Sequence, residues 1–278
     1  MSLKFSKMHG LGNDFVVIDA ISQNVDMTPA LAQAMAERRF GIGCDQVLLV
    51  EPAGEPDVEF NYRIFNQDGS EVSQCGNGAR CFAKFVSDKG LTQKTSFSVL
   101  TRAGKLELVL DKPGLVTVDM GQPIFAPSEI PFIADQAADT YSIEIDSETL
   151  RVSVLSMGNP HAVLQVANVD QAPVDRIGQC LQNHRRFPEQ VNVGFMQVLN
   201  RNSFKLRVFE RGVGETLACG SGACAAMVAG VKLNLLDSTA AAHLTGGELD
   251  LSWEGRGCSV YTTGPAKFVY DGIWLEAP

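Results

Sequence analysis

Two cysteines stand in matched settings 144 residues apart: Cys75 opens Cys75-Gly76-Asn77-Gly78-Ala79, and Cys219 opens Cys219-Gly220-Ser221-Gly222-Ala223. After the first, Ala79, Phe82, Ala83 and Val86 recur at helical spacing; after the second, Ala223, Ala226, Met227 and Gly230 do the same. The period predicts a helix that begins at or just after each thiol. Unpaired N–H groups and the positive end of the helix dipole at such a start favour a thiolate. The backbone of Gly76, Asn77, Gly220 and Ser221 there can also hold a carboxylate or phosphate. A thiol has a reference pKa of ~8.5, and such a start brings its ionisation closer to neutral pH. For a single copy, a small core cysteine beside a glycine turn is an equally good account. Two copies in matched positions favour chemistry.

The polar residues around these turns are mostly amides: Asn13, Gln46, Asn66, Asn159 and Asn192. Any one of them is ordinary turn chemistry, but Asn13 and Asn159 correspond between the halves. Glu210-Arg211 follows a strand pattern directly, and such a pair can face a zwitterion, arginine taking a carboxylate and glutamate an ammonium. Its plain alternative is a solvated charge pair at a strand end. Neither Cys75 to Cys81 nor Cys219 to Cys224 has the Cys-x-x-Cys spacing of a redox dithiol or zinc site. His9, His161, His184 and His243 show no paired ligand spacing, so no metal is expected. The glycine turns lack the third glycine of a dinucleotide fingerprint. A papain-like pair through His161 stays open, though it would leave one cysteine motif without a role. A small-ligand module whose cysteines sense redox state stays open as well.

Positioning two such motifs requires two like scaffolds. Arg63-Ile64-Phe65 and Arg207-Val208-Phe209 match at the same offset of 144, while Gly12-Asn13 and Gly158-Asn159 match at 146. Solenoid repeats are far shorter, so the pattern reads as a duplicated domain. At 278 residues the chain is long enough for two such domains. A hydrophobic content of 45% with 20% charged residues is that of a soluble globular protein. A net charge of −9 argues against nucleic acid as partner. No run reaches the ~18 apolar residues of a membrane span, and the N-terminus is too short and polar for a signal peptide. Seven cysteines without framework spacing suit reduced thiols in a cytoplasmic protein.

In chain order the patterns predict strands over 4–8, 15–19, 46–51 and 60–65, with a helix capped by Thr28 and running to about Arg39. After the first cysteine helix come strands over 95–101, 105–111 and 115–119. A Pro- and Ala-rich stretch from Gly121 to about Ala138 reads as the crossing between halves. Strands over 151–156 and 161–166, a helix over 174–183, and strands over 193–199 and 204–209 follow. The second cysteine helix precedes strands over 249–253 and 258–263. Lys267–Leu275 has no counterpart at the offset and is expected to return to the first half. The expected division is residues 1–120 with 264–278, and 121–263.

Taken together, Met8-His9-Gly10-Leu11-Gly12-Asn13-Asp14-Phe15, Gly41-Ile42-Gly43-Cys44-Asp45-Gln46, Phe65 to Glu71, Cys75 to Cys81, Met157-Gly158-Asn159-Pro160-His161 and Glu210 through Ala223 closely resemble the diaminopimelate epimerase family. Proline and hydroxyproline racemases share the two-cysteine plan but not the Asn-rich set. The resemblance implies an α+β fold of two pseudo-symmetric domains, each a barrel-like mixed sheet around a central helix, with the site in the cleft between them. It implies interconversion of LL- and meso-2,6-diaminopimelate without pyridoxal phosphate or metal. Carried over by residue, Cys75 and Cys219 are the acid–base pair. Asn13, Gln46, Asn66, Asn159, Asn192, Glu210 and Arg211 contact substrate, with Gly76-Asn77 and Gly220-Ser221 as backbone donors. His161 and Glu210 tune the thiols, and Tyr270 matches a position linked to a homodimer.

Overall fold

The strands form where β-branched and aromatic residues alternate with polar ones, and the helices where apolar residues recur at 3.6-residue spacing. A computed structural model describes residues 2–146 and 148–275. The chain divides into two units, residues 1–118 with 264–278 and residues 119–263.

The first unit begins with β1 (Ser2–Gly10), β2 (Asn13–Asp19), α1 (Pro29–Ala36), β3 (Gln46–Pro52) and β4 (Phe60–Asn66). A short β5 (Glu71–Val72), α2 (Gly76–Asp88), β6 (Ser96–Thr101), β7 (Gly104–Lys112) and β8 (Leu115–Asp119) complete its first pass. β2 and β3 run parallel, as do β4 and β6, and the remaining neighbours are antiparallel. α2 packs against β1, β2, β3 and β7 and is buried over most of its length, including Ala79, Phe82, Ala83 and Val86. On the opposite face of the sheet, α1 covers a second core of Val16, Ile18, Val47, Leu49 and Phe65 with its own Ala32 and Met35.

The second unit repeats the order. It has β9 (Tyr141–Ile145), β10 (Glu148–Ser156), β11 (Pro160–Gln165), α3 (Val174–Gln182), β12 (Asn192–Asn200) and β13 (Ser203–Glu210). Then come β14 (Gly214–Thr216), α4 (Gly220–Lys232), β15 (Thr239–Leu244), β16 (Gly247–Ser252) and β17 (Tyr261–Pro265). The parallel pairs β11–β12 and β13–β15 fall at the same places as in the first unit. α4 packs against β10, β11, β12, β13, β15 and β16, and α3 closes the outer core with Ile177 and Leu181. The last strand, β18 (Lys267–Leu275), pairs antiparallel with β1, as β9 pairs with β10. Each unit is thus a mixed sheet around one central helix, an α+β fold.

Several local expectations need correction. The helix expected to reach Arg39 ends at Ala36, because Glu37 turns extended and its carboxylate accepts from the backbone N–H groups of Arg39 and Phe40. The carbonyl of Met35 then takes the N–H groups of Ile42 and Gly43, closing the turn. The strand expected over 258–263 starts only at Tyr261. Cys258 donates back to the Gly255 carbonyl, and its own carbonyl holds the Trp253 indole at 3.2 Å. β9 and β15 form where the sequence pattern predicts no strand. The Thr239-Ala240-Ala241-Ala242 run carries little strand signal, and only its pairing with β13 and β16 makes it a strand.

Candidate active site

In the first unit the start of β2, the start of β3 and the end of β4 share one end of the sheet, because β2 runs parallel to β3 and β4 antiparallel to it. Asn13, Gln46 and Asn66 stand at those three termini. Gln46 and Asn66 are register partners, and the Gln46 amide donates to Asn66 Oδ1 at 2.9 Å. Cys75 is the N-cap of α2. Its Sγ accepts the Gly78 N–H at 3.4 Å and lies 3.8 Å from Asn13 Oδ1. The same Asn13 oxygen accepts from the Asn77 amide at 3.3 Å, and Arg80, fully buried, donates to Asn77 Oδ1 at 2.6 Å.

The amide of Asn13 donates to Asp45 Oδ2 at 2.8 Å. Asp45 belongs to an ion network in which Arg38 bridges Asp45 and Asp14 at 2.7 and 2.8 Å, and Lys7 pairs with Asp14 at 2.5 Å. Burial works to raise the Asp14 pKa, but the hydrogen bonds from Arg38 and Lys7 outweigh it and hold the carboxyl at about 2. The network pins the loop before β3, and through Asp45 it orients Asn13.

In the second unit the equivalent strand ends carry Asn159, His161, Asn192 and Glu210. His161 and Asn192 are register partners. The buried His161 ring meets Asn159 Oδ1 at 2.9 Å through Nε2. Burial, helped by the Arg211 charge, lowers its pKa to about 3, so His161 is neutral at physiological pH. Asn192 accepts the Arg211 backbone N–H at 2.9 Å and donates to the Pro160 carbonyl at 3.0 Å. The Arg211 guanidinium is exposed and reaches the Glu189 carbonyl at 3.0 Å.

Cys219 is the N-cap of α4 and is buried. Its Sγ lies 3.6 Å from the Ser221 hydroxyl. Burial, then the charge of Glu210 and a hydrogen bond to it, push the Cys219 thiol well up, against the smaller pull of Ser221 and the Gly222 N–H. The two helix starts therefore place each thiol among different groups: amides around Cys75, a carboxylate beside Cys219. Tyr270, the residue the resemblance linked to assembly, lies on β18, about half exposed, with its ring edge-on to Phe5 at 5.9 Å.

Among the described residues there is no group of three or more His, Cys, Asp or Glu placed to hold a metal ion. No described helix is long and apolar enough to cross a membrane. Sequence reasoning did not single out Asp45, Arg80 or Thr216, which hold Asn13, Asn77 and Glu210 in place. Asp45 lies inside a recognised motif. Arg80 and Thr216 lie inside recognised motifs too, and both also depart from the repeat, since the residues 144 positions from them are Cys224 and Val72.

Two like units of this kind define a fold class that includes an amino-acid epimerase. A hydroxyproline epimerase from Agrobacterium vitis, solved with bound trans-4-hydroxy-L-proline, matches with a TM-score of 0.70, covering 98% of this chain and 92% of that one, at 13% identity. The sequence narrows the class. The diaminopimelate epimerase family pattern matches residues 5–126 and 153–269. A diaminopimelate epimerase of Azoarcus sp. (strain BH72) is 56% identical over 278 residues, all of both chains. Another, of Aromatoleum aromaticum, is 55% identical over 272 residues, 98% of each. The chain belongs to the diaminopimelate epimerase family.

Proposed function

We propose that the chain interconverts LL- and meso-2,6-diaminopimelate, a step toward lysine and peptidoglycan precursors, with Cys75 and Cys219 as its acid–base pair. The observation that carries this reading is that each thiol caps a central helix at the sheet end where its unit gathers amide and carboxylate groups. Inverting a stereocentre removes a proton from one face of the α-carbon and returns one to the other. A thiolate takes the first and a thiol supplies the second.

The carbanion spreads its charge onto the adjacent carboxylate. N–H groups of Gly76-Asn77 and Gly220-Ser221, at two helix starts, stabilise that charge with donors already in place. Asn13, Gln46, Asn66, Asn159 and Asn192 recognise the amino-acid ends. Arg211 takes the distal carboxylate and Glu210 an ammonium group, as a substrate with a second amino-acid end requires. His161, buried and neutral, acts on its surroundings as a dipole rather than as a cation.

The reaction so read calls on no pyridoxal phosphate or metal, and it belongs in the cytoplasm, where thiols stay reduced. Assembly as a homodimer through β18 is part of the same reading. Val269, Tyr270, Ile273 and Leu275 are 47% to 73% exposed on that strand, and a second copy would cover them.

The test is epimerisation of LL-diaminopimelate by the purified, reduced protein without added cofactor, followed by uptake of solvent deuterium at the α-carbon. Formation of the meso isomer with deuterium incorporation is expected. Folded protein that yields neither meso isomer nor deuterated substrate would overturn the reading. Sedimentation of the parent and of Tyr270→Ala tests the dimer.

A further inference from the structure

The two repeats differ at a coupled pair of positions. The residue 144 positions before Glu210 is Asn66, and the residue 144 before Thr216 is Val72. In the first unit the Asn66 side chain is occupied by amide and hydroxyl partners, Gln46 and Ser70. In the second, the Thr216 hydroxyl donates to Glu210 Oε1. The hairpin of β13 and β14 sets this contact: Glu210 pairs with Gly214 and Val208 with Thr216. Arg207 fastens the hairpin through a bidentate ion pair with Glu215 at 2.6 and 2.7 Å.

Three residues beyond Thr216 comes Cys219, held so closely under the helix start that a Cβ on Gly222 would stand 3.3 Å from its Sγ. The groups facing that thiol are the Glu210 carboxylate from β13, and Ser221 and the Gly222 N–H from α4. Along the same hairpin, Arg211 donates to the Glu189 carbonyl and Glu215 pairs with Arg207. His161 on β11 is neutral.

A half-buried carboxylate at a strand end can swing into water. A hydroxyl that donates to one oxygen removes that freedom, and a hydrogen bond to a charged acceptor is of the stronger kind. We propose that Thr216 is a positioning residue for Cys219: its hydroxyl fixes the Glu210 carboxylate against the thiol and thereby keeps that thiol in its protonated, proton-donating form. The inference rests on the proposed reaction only in calling Cys219 a proton donor. The contact itself is a property of the folded unit.

Thr216→Val tests it without a void, since Val72 occupies the matching place in the first unit, and Thr216→Ala is read in the same way. The measurement is the rate of iodoacetamide labelling of the Cys219 peptide against pH. Without the Thr216 hydroxyl the carboxylate is held less closely against the thiol, and the labelling midpoint should fall by about half a pH unit or more. Turnover should fall about tenfold, with KM less affected. Thr216→Ser should keep the parental midpoint, and in a Glu210→Gln background Thr216→Val should add nothing. A midpoint unmoved or raised in both Thr216→Val and Thr216→Ala would overturn the proposal. So would a Thr216→Ser midpoint like that of the valine variant, or an undiminished shift without the Glu210 carboxylate. If the parent fails to interconvert diaminopimelate isomers, the reaction falls while the midpoints still decide for or against Thr216.

Discussion

The Tyr62 hydroxyl lies directly against Gly78: a Cβ added there would stand 2.5 Å from the Tyr62 oxygen, with Leu48 and Phe15 each at 3.3 Å. This approach seats the start of α2 on β2, β3 and β4, and the Gly78 N–H in turn meets Cys75. Gly78→Ala should therefore destabilise the protein by about 2 kcal/mol through overpacking. The Tyr62 hydroxyl is buried without a hydrogen-bond partner among the described residues. Tyr62→Phe should stabilise by about 1 kcal/mol and should reduce the cost of Gly78→Ala. Urea unfolding of the two single variants and the double variant measures the coupling. Strict additivity would show that the hydroxyl is not what excludes a side chain at Gly78.

Removing either thiol should separate the two faces of the reaction. Cys75→Ala and Cys219→Ala are each expected to lose epimerisation. In heavy water each should retain slow exchange into only one diastereomer, a different one for each variant. Proton NMR of recovered substrate reads this directly. Substantial epimerisation by either variant would rule out a two-thiol mechanism.

The guanidinium of Arg211 is exposed, and its backbone is tied to Asn192. That arrangement leaves the side chain movable while its root is fixed. Arg211→Lys keeps the charge but loses the planar fork, so kcat/KM for diaminopimelate should fall about tenfold or more. Steady-state rates near those of the parent would remove Arg211 from substrate recognition.

His161 gives a pH dependence of defined sign. Burial, then Arg211, lower its pKa from 6.5 in the reference state to about 3 in the fold. The unfolded chain therefore binds a proton more readily than the folded one. The stability this group contributes is complete above about pH 6.5 and is lost as pH falls toward 3. His161→Gln, which cannot charge, should lose stability less steeply than the parent between pH 6.5 and 4.5. Urea midpoints across that window provide the check, and equal slopes would show that His161 does not resist protonation.

The two helix-capping cysteines were legible in the sequence because they obey local rules. A thiol followed by Gly-x-Gly-Ala and a 3.6-residue apolar period announces a helix start, and the recurrence of Arg-(Ile/Val)-Phe at the same offset announces two like units. Cys75 and Cys219 do cap α2 and α4, and the doubled sheet order follows. What the sequence did not disclose depends on particular hydrogen-bond partners that no local period specifies. The Ala-rich β15 is a strand only because β13 and β16 hydrogen-bond to it, and α1 stops at Ala36 only because Glu37 and Met35 capture the loop. Local period specifies which face of an element is apolar. It carries no information about which hydroxyl reaches which carboxylate across a hairpin, so the hold of Thr216 on Glu210, and the chain from Arg80 through Asn77 to Asn13, were decided by tertiary structure alone.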